Sequence, residues 1–161
     1  MIRAARVSED AILSQISFQS KKYWNYPEEY YQLWEKELLI TPEYIRNNSV
    51  FVYEEQDEVT AYYSIVNITE NIEVSGIEIT EGHWLDHMFV RPHLVGSGLG
   101  RQMFVHLYNW CHTKSIETLH ILADPYSRGF YEKMGCEYQH EHPSTIPGRT
   151  TPLLIFRIGA C

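Results

Sequence analysis

Val90-Arg91-Pro92-His93-Leu94-Val95-Gly96-Ser97-Gly98-Leu99-Gly100-Arg101 is the stretch that decides the fold. Upstream, Trp84 to Arg91 is the most hydrophobic strand pattern in the chain. Downstream, from about Gly98 to Thr113, Leu99, Met103, Leu107, Trp110 and Cys111 fall on one face of a helix. Between them, glycine recurs at 96, 98 and 100. Glycines there let the backbone come close to a ligand, and the free N–H groups of the helix's first turn favour an anion. The physics is that of a phosphate cradle. Counting excludes three familiar loops. A dinucleotide fingerprint from Gly96 needs glycine where Arg101 stands, and a P-loop needs glycine at Arg101 and lysine at Gln102. A nucleophile elbow needs a residue between Gly96 and Ser97, so Ser97 provides a loop amide and is no nucleophile. The competing reading is a glycine-rich connection that only packs tightly.

Outward from this stretch, the chain alternates strands and helices. Before it, Ile2 to Val7 reads as a strand, and Ser8 as the N-cap of a helix through about Gln19. Lys21 to Tyr26 reads as a loop, Pro27 as the start of a second helix, and Thr41-Pro42-Glu43 as the start of a short third. Ser49 to Tyr53, Val59 to Ile68 and Ile72 to Thr80 have strand composition. After it come a strand at Leu119 to Ala123 and a helix capped by Asp124 and ended by Gly135. Strands at Glu137 to Glu141 and Leu153 to Ile158 close the chain. The order β-α-α-β-β-β-β-α-β-α-β-β predicts an α/β (α+β) fold: a mixed central sheet of about six to seven strands flanked by about four to five helices.

Composition narrows the function. The 161 residues predict one domain spanning 1–161. A formal net charge of −8 argues against nucleic acid, whose phosphates need clustered Lys and Arg. No apolar run approaches a membrane span, and the N-terminus has no apolar leader before Glu9 and Asp10. Cys111, Cys136 and Cys161 make no even framework, which fits reduced thiols and a cytoplasmic location. His140 and His142 would share a strand face as metal ligands can. With no third partner at a recognisable spacing, a solvated edge is the preferred reading and no metal is expected.

The segment Ala123-Asp124-Pro125-Tyr126-Ser127-Arg128-Gly129-Phe130-Tyr131-Glu132-Lys133-Met134-Gly135 follows the next strand. Together, the two segments resemble the GCN5-related N-acetyltransferase (GNAT) superfamily. Its first signature, V-x-P then Q/R-x-x-G-x-G/A, aligns with Val90, Pro92, Val95, Gly98 and Gly100. Its second, N-x-x-A-x-x-L/F-Y-x-K-x-G-F, aligns with Asp124, Ser127, Phe130, Tyr131, Lys133, Gly135 and Cys136. The resemblance implies acetyl-CoA as cosubstrate. It implies a pantetheine arm along Met88, Phe89 and Val90, and a diphosphate on the amides of Val95, Gly96, Ser97, Gly98, Leu99 and Gly100 beside Arg101. Asp124, Ser127 and Phe130 complete the implied cofactor set. Two positions depart from the pattern. Val95 stands for the usual Arg or Gln, with Arg101, Arg91 or His93 as candidate replacements, and Asp124 stands for the usual Asn.

Amine acetylation needs a neutral amine, an acceptor for its proton and a donor to the departing thiolate. Tyr131 occupies the family's general-acid position; by residue type alone it could equally be a packed tyrosine. Strand alternation puts Trp84, Asp86 and Met88 on one face and Leu85, His87 and Phe89 on the other. Asp86 is the first choice for the base, and His87 has the better intrinsic basicity. Either could instead be a structural polar group. Tyr23, Trp24 and Tyr26, with Trp84, form a candidate acceptor site, where rings beside Glu28, Glu29 and Glu35 suit a cationic amine. Covering the sheet is the alternative role for those rings. The expected protein is a cytoplasmic acetyl-CoA-dependent N-acetyltransferase acting on a small-molecule primary amine in a ternary complex. Alternatives are a non-catalytic acyl-CoA sensor, or an acetyltransferase acting on a protein lysine or N-terminal amine. The family habit leaves room for a homodimer.

Overall fold

The computed structural model describes residues 1–74 and 76–159. The strands are β1 (Ile2–Ala4), β2 (Ser49–Glu55), β3 (Glu58–Ile68), β4 (Ile72–Val74), β5 (Ile77–Ile79), β6 (Gly82–Val90), β7 (Thr118–Leu122), β8 (Glu137–Pro143) and β9 (Thr150–Arg157). The helices are α1 (Asp10–Lys22), α2 (Glu28–Leu38), α3 (Pro42–Asn47), α4 (Leu99–Thr113) and α5 (Arg128–Lys133). Seven strands hydrogen-bond in the order β1-β2-β3-β6-β7-β9-β8, and β4 and β5 pair separately. The mixed α+β class expected from the sequence is the observed one.

Two compact units can be distinguished, residues 1–65 with 87–103 and residues 66–86 with 104–161. In the first, Val59, Thr60, Ala61, Tyr62, Tyr63, Ser64 and Ile65 of β3 are all buried, which fits that strand's largely apolar and aromatic make-up, with Thr60 and Ser64 as its polar members. Leu13 and Ile16 of α1, Ile45 of α3, Val50 and Val52 of β2 and Tyr62 form one core cluster, with Phe89 packed on it. The hydroxyls of Ser17 and Tyr62 satisfy each other inside that core. In the second unit, Phe104 of α4 packs against Phe130, Tyr131 and Phe156 at ring separations of 6.3, 6.3 and 4.8 Å. Leu107, Leu119, Ile121 and Leu154 are buried there too.

Several boundaries differ from expectation. Ser8 does not cap α1: Val7–Glu9 forms a single 3-10 turn, and Arg3 holds Glu9 by two hydrogen bonds at 3.0 and 2.8 Å. β1 accordingly stops at Ala4, and α1 runs on to Lys22 through residues expected to be loop. Ile72 to Thr80 is a hairpin instead of one strand. Gly76, at φ +79°, takes the left-handed turn that strand composition hides. Ser75, within the expected Ile72 to Thr80 strand, and Cys161 lie outside the described residues.

Candidate active site

The cofactor loop grows from β6 by a sequence of backbone bonds. Arg91 N donates to Thr60 O at 2.9 Å as the strand ends, and Pro92–Leu94 then makes one 3-10 turn. Val95 N donates to Pro92 O at 3.2 Å and Ser97 N to Leu94 O at 3.1 Å, so these two amides, expected to meet the diphosphate, are instead taken up in the turn itself. Gly96 and Gly98 sit at φ +83° and +88°, a region that L side chains avoid, and a Cβ at either would meet nothing within 4 Å. The helix ladder begins with Gln102 N donating to Gly98 O at 3.1 Å. The amides of Gly96, Gly98, Leu99, Gly100 and Arg101 therefore have no acceptor among the described residues. A set of unpaired N–H groups at the head of a 15-residue helix is an anion site by both hydrogen bonding and dipole.

Side chains around the loop sort themselves. Val95 is 46% exposed and Arg101 is exposed, so Arg101 remains available to a ligand. Arg91 does not: it is 9% exposed and turned into the protein, with Nε donating to Val59 O at 3.1 Å. The expectation that Arg91 could replace the missing basic residue of the loop is thus corrected. The spacing was right, but its donors are taken. Met88, Phe89 and Val90 are half-buried on β6.

In the second unit, Asp124 behaves as a cap, its carboxylate accepting from Tyr126 N at 3.0 Å ahead of α5. Ser127 N donates to Asp124 O at 2.8 Å. Phe130 is partly exposed, and its ring lies 5.2 Å from that of Tyr131. Tyr131 is buried, and its hydroxyl has no hydrogen-bond partner among the described residues. Burial pushes its phenol well above the usual value, and the negative charge of Asp124 pushes the same way. A phenol so placed stays protonated at neutral pH, which suits a donor and disqualifies a base. Gly135, at φ +99°, ends α5 beyond it, with Cys136 N donating to Tyr131 O at 3.0 Å. Burial also pushes the Cys136 and Cys111 thiols up to about 12, so neither is a reactive thiolate.

The two candidate bases differ in setting. Asp86 is exposed on β6. His87 is half-buried, its ring 6.0 Å from Tyr44, 6.2 Å from Tyr62 and 5.5 Å from Phe89. The His87–Phe89 contact matches the predicted alternation. Trp84 is buried, with its indole N–H donating to Thr80 O at 2.8 Å and its ring stacked 4.8 Å from His120. His120 was not singled out from the sequence, because its pairing with Trp84 is set by register between strands distant in the chain.

Tyr23 is 47% exposed and lies edge-on to Trp24 at 4.7 Å. Tyr26 packs at 5.1 Å on the buried Trp34. Lys21, also missed by sequence reasoning, holds its Nζ 4.4 Å over the Trp34 ring and 5.8 Å over Tyr26. Among the described residues no group of three or more His, Cys, Asp and Glu side chains could hold a metal ion, and His142 instead has Nε2 3.1 Å from Glu78 O. No described helix is long and apolar enough to cross a membrane.

A strand feeding a loop of unpaired amides at a helix N-terminus is, in the first unit, a setting that suits a phosphate-bearing ligand. The acetyltransferase (GNAT) domain model matches residues 40–143, more than half of the chain, and the chain belongs to that family. It is an acyltransferase by that membership. Similar folds include a PaiA N-acetyltransferase from Thermoplasma acidophilum in complex with coenzyme A, at 13% identity, 98% coverage of both chains and a TM-score of 0.73. A GNAT family acetyltransferase from Brucella melitensis in complex with acetyl-CoA is 15% identical over 99% of this chain and 88% of its own, with a TM-score of 0.64. An Escherichia coli N-acetyltransferase for the alanine of a ribosomal protein is 13% identical over 100% of this chain and 95% of its own, with a TM-score of 0.66. No curated protein matches the chain by sequence.

Proposed function

We propose that the protein transfers an acetyl group from acetyl-CoA to the primary amine of a cationic small molecule, by direct attack in a ternary complex. The observation that carries this reading is the set of unpaired amides at Gly96, Gly98, Leu99, Gly100 and Arg101. Bound there, acetyl-CoA supplies an activated thioester. The residues fit it: the open space at Gly96 and Gly98 leaves room for phosphate oxygens, and Arg101 adds charge at the rim. The neutral amine forms the new C–N bond as the C–S bond breaks. The proton lost by the amine passes to Asp86, or to His87, and Tyr131 Oη gives its proton to the departing thiolate before being reprotonated from solvent.

The cationic, small acceptor is supported by the charge of −8 and by the Tyr23–Tyr26 segment beside Glu28 and Glu29. Lys21, with Nζ 5.8 Å over the Tyr26 ring, is an alkylammonium already resting on one of those rings. The test is titration calorimetry with acetyl-CoA and free CoA, followed by thiol release with a panel of amines, peptides included. Binding with release driven by small cationic amines is expected. Release driven only by peptides would move the acceptor to proteins, and binding without any acceptor-dependent release would leave a sensor. No heat at millimolar ligand would remove the assignment altogether.

A further inference from the structure

Arg91 is the most unusual side chain in the first unit. Its guanidinium is nine-tenths buried, yet its close partners are neutral: Val59 O at 3.1 Å from Nε, and Gln19 Oε1 at 3.0 Å and Gln15 Oε1 at 3.3 Å from a terminal nitrogen. The nearest carboxylate, Glu58, lies at 4.0 Å and is 65% exposed. Burying a cation against neutral acceptors is expensive, and an apolar side chain would fill such a site more cheaply. The expense has a geometric return. Arg91 is the residue at which β6 becomes the cofactor loop: its own N–H is held by Thr60 O, and its own carbonyl accepts from Leu94 N at 2.9 Å to start the 3-10 turn. One fork therefore ties the root of the loop to β3 and to α1. Ser20, one residue beyond Gln19, repeats the tie by donating to Val90 O at 2.6 Å.

We propose that Arg91 is a positioning residue for acetyl-CoA binding, clamping the start of the 92–101 loop to α1 through Gln15 and Gln19 so that the loop amides stand ready for the diphosphate. The inference rests on the proposed function for its ligand, but the clamp is a property of the loop itself. It also links that loop to the helix whose end leads into the aromatic residues Tyr23, Trp24 and Tyr26. A second consequence is specific to the fork: lysine, with one compact donor group, cannot reach the carbonyl and both glutamines at once.

The test uses the full chain with Arg91→Lys, Arg91→Met and the milder Gln15→Ala/Gln19→Ala double variant, each compared by hydrogen exchange of the 92–101 segment, melting temperature, and acetyl-CoA titration. The expected result is exchange at least tenfold faster at the bonded amides of Leu94, Val95 and Ser97 for all three, with acetyl-CoA KM raised about tenfold and kcat within twofold of wild type. Arg91→Lys should resemble Arg91→Met. Should Arg91→Met fail to fold, the double variant decides. Unchanged exchange at those three amides overturns the clamp, as does faster exchange with unchanged KM, or a parallel loss of kcat that follows the melting temperature. If wild type binds no acetyl-CoA, the functional reading falls on that arm alone, and the proposal for Arg91 falls with it only as regards ligand; the exchange arm still decides whether the loop is held.

Discussion

Gly98→Ala separates the two things the loop glycine does. At φ +88° an L side chain is strained, by roughly 1–2 kcal/mol. Because a Cβ there meets no atom within 4 Å, no clash inside the protein adds to that strain. Alanine also restricts the unfolded chain, which returns about 0.4–1 kcal/mol. The net destabilisation is then between about 0 and 1.6 kcal/mol, a fall in Tm of at most about 6 °C for a chain of this size. Ligand binding should suffer more. The methyl enters space meant for phosphate oxygens, and relaxation of φ toward negative values turns the amides of residues 98 and 99 away. Each charge-assisted hydrogen bond lost costs roughly 1.5–3 kcal/mol, or about 10- to 150-fold in Kd. The assay is acetyl-CoA calorimetry beside a thermal melt, with Gly129→Ala as the control. Gly129 is exposed on α5 at an ordinary φ, so alanine there should stabilise by about 0.5–1 kcal/mol and leave Kd alone. A Gly98→Ala protein with the expected loss of Tm but a Kd within twofold of wild type would show that the loop's open space holds no phosphate.

Tyr131→Phe should lower kcat by about 100-fold or more while acetyl-CoA Kd stays within about threefold, since a general acid acts on the leaving group alone. Burial raises the phenol, so its proton is retained in the folded state at pH values where the unfolded chain has lost it. Stability is thus whole below about pH 10 and falls as pH rises beyond it, and the Phe variant should lack that alkaline fall in urea titrations. Asp86→Asn should flatten the acid limb of the kcat/KM profile where His87→Ala keeps it; the reverse result transfers the base to His87, and loss in neither leaves bulk water. Arg3→Met removes the hydrogen bonds that hold the Glu9 carboxyl below the usual carboxylate range. It should lower Tm at pH 7, and the gap from wild type should close as acid drives pH down through the depressed Glu9 value, because that pairing is lost there in both proteins.

What could be read from the sequence was whatever one segment carries alone. The Val90–Arg101 stretch holds its strand, its turn glycines and its helix face in consecutive residues, and the structure places them as the spacing predicts. Asp124 and Gly135 are local signals as well, a cap and a left-handed stop. Failures arise where distant residues decide. Ser8 has the right chemistry for a cap, but Arg3 reaches Glu9 and Glu54 and makes a 3-10 turn there instead. Trp84, picked as a possible acceptor contact, spends its N–H on Thr80 and its ring on His120, a pairing that depends on the register of β6 with β7. Arg91 looked like a ligand-facing charge, and three acceptors on β3 and α1 turned it inward.

The same distinction explains why the cofactor half of the site is better defined than its base. On the proposed function, diphosphate recognition would use N–H groups, which every residue but proline carries, so it depends on backbone shape and leaves glycines as its trace. Val95 and Asp124 can depart from the family pattern without removing a single one of the unpaired amides at 96 and 98–101. A general base has no such trace, because any carboxylate or imidazole near the amine will serve and its strength comes from surroundings built by other segments. Asp86 and His87 are neighbours in sequence yet one is exposed and the other rests among Tyr44, Tyr62 and Phe89. An exposed carboxylate works as a base mainly through an intervening water, whereas a half-buried imidazole is held by its ring neighbours; binding of one proton silences either, so loss of the acid limb in one variant and its survival in the other identifies which of the two takes the proton.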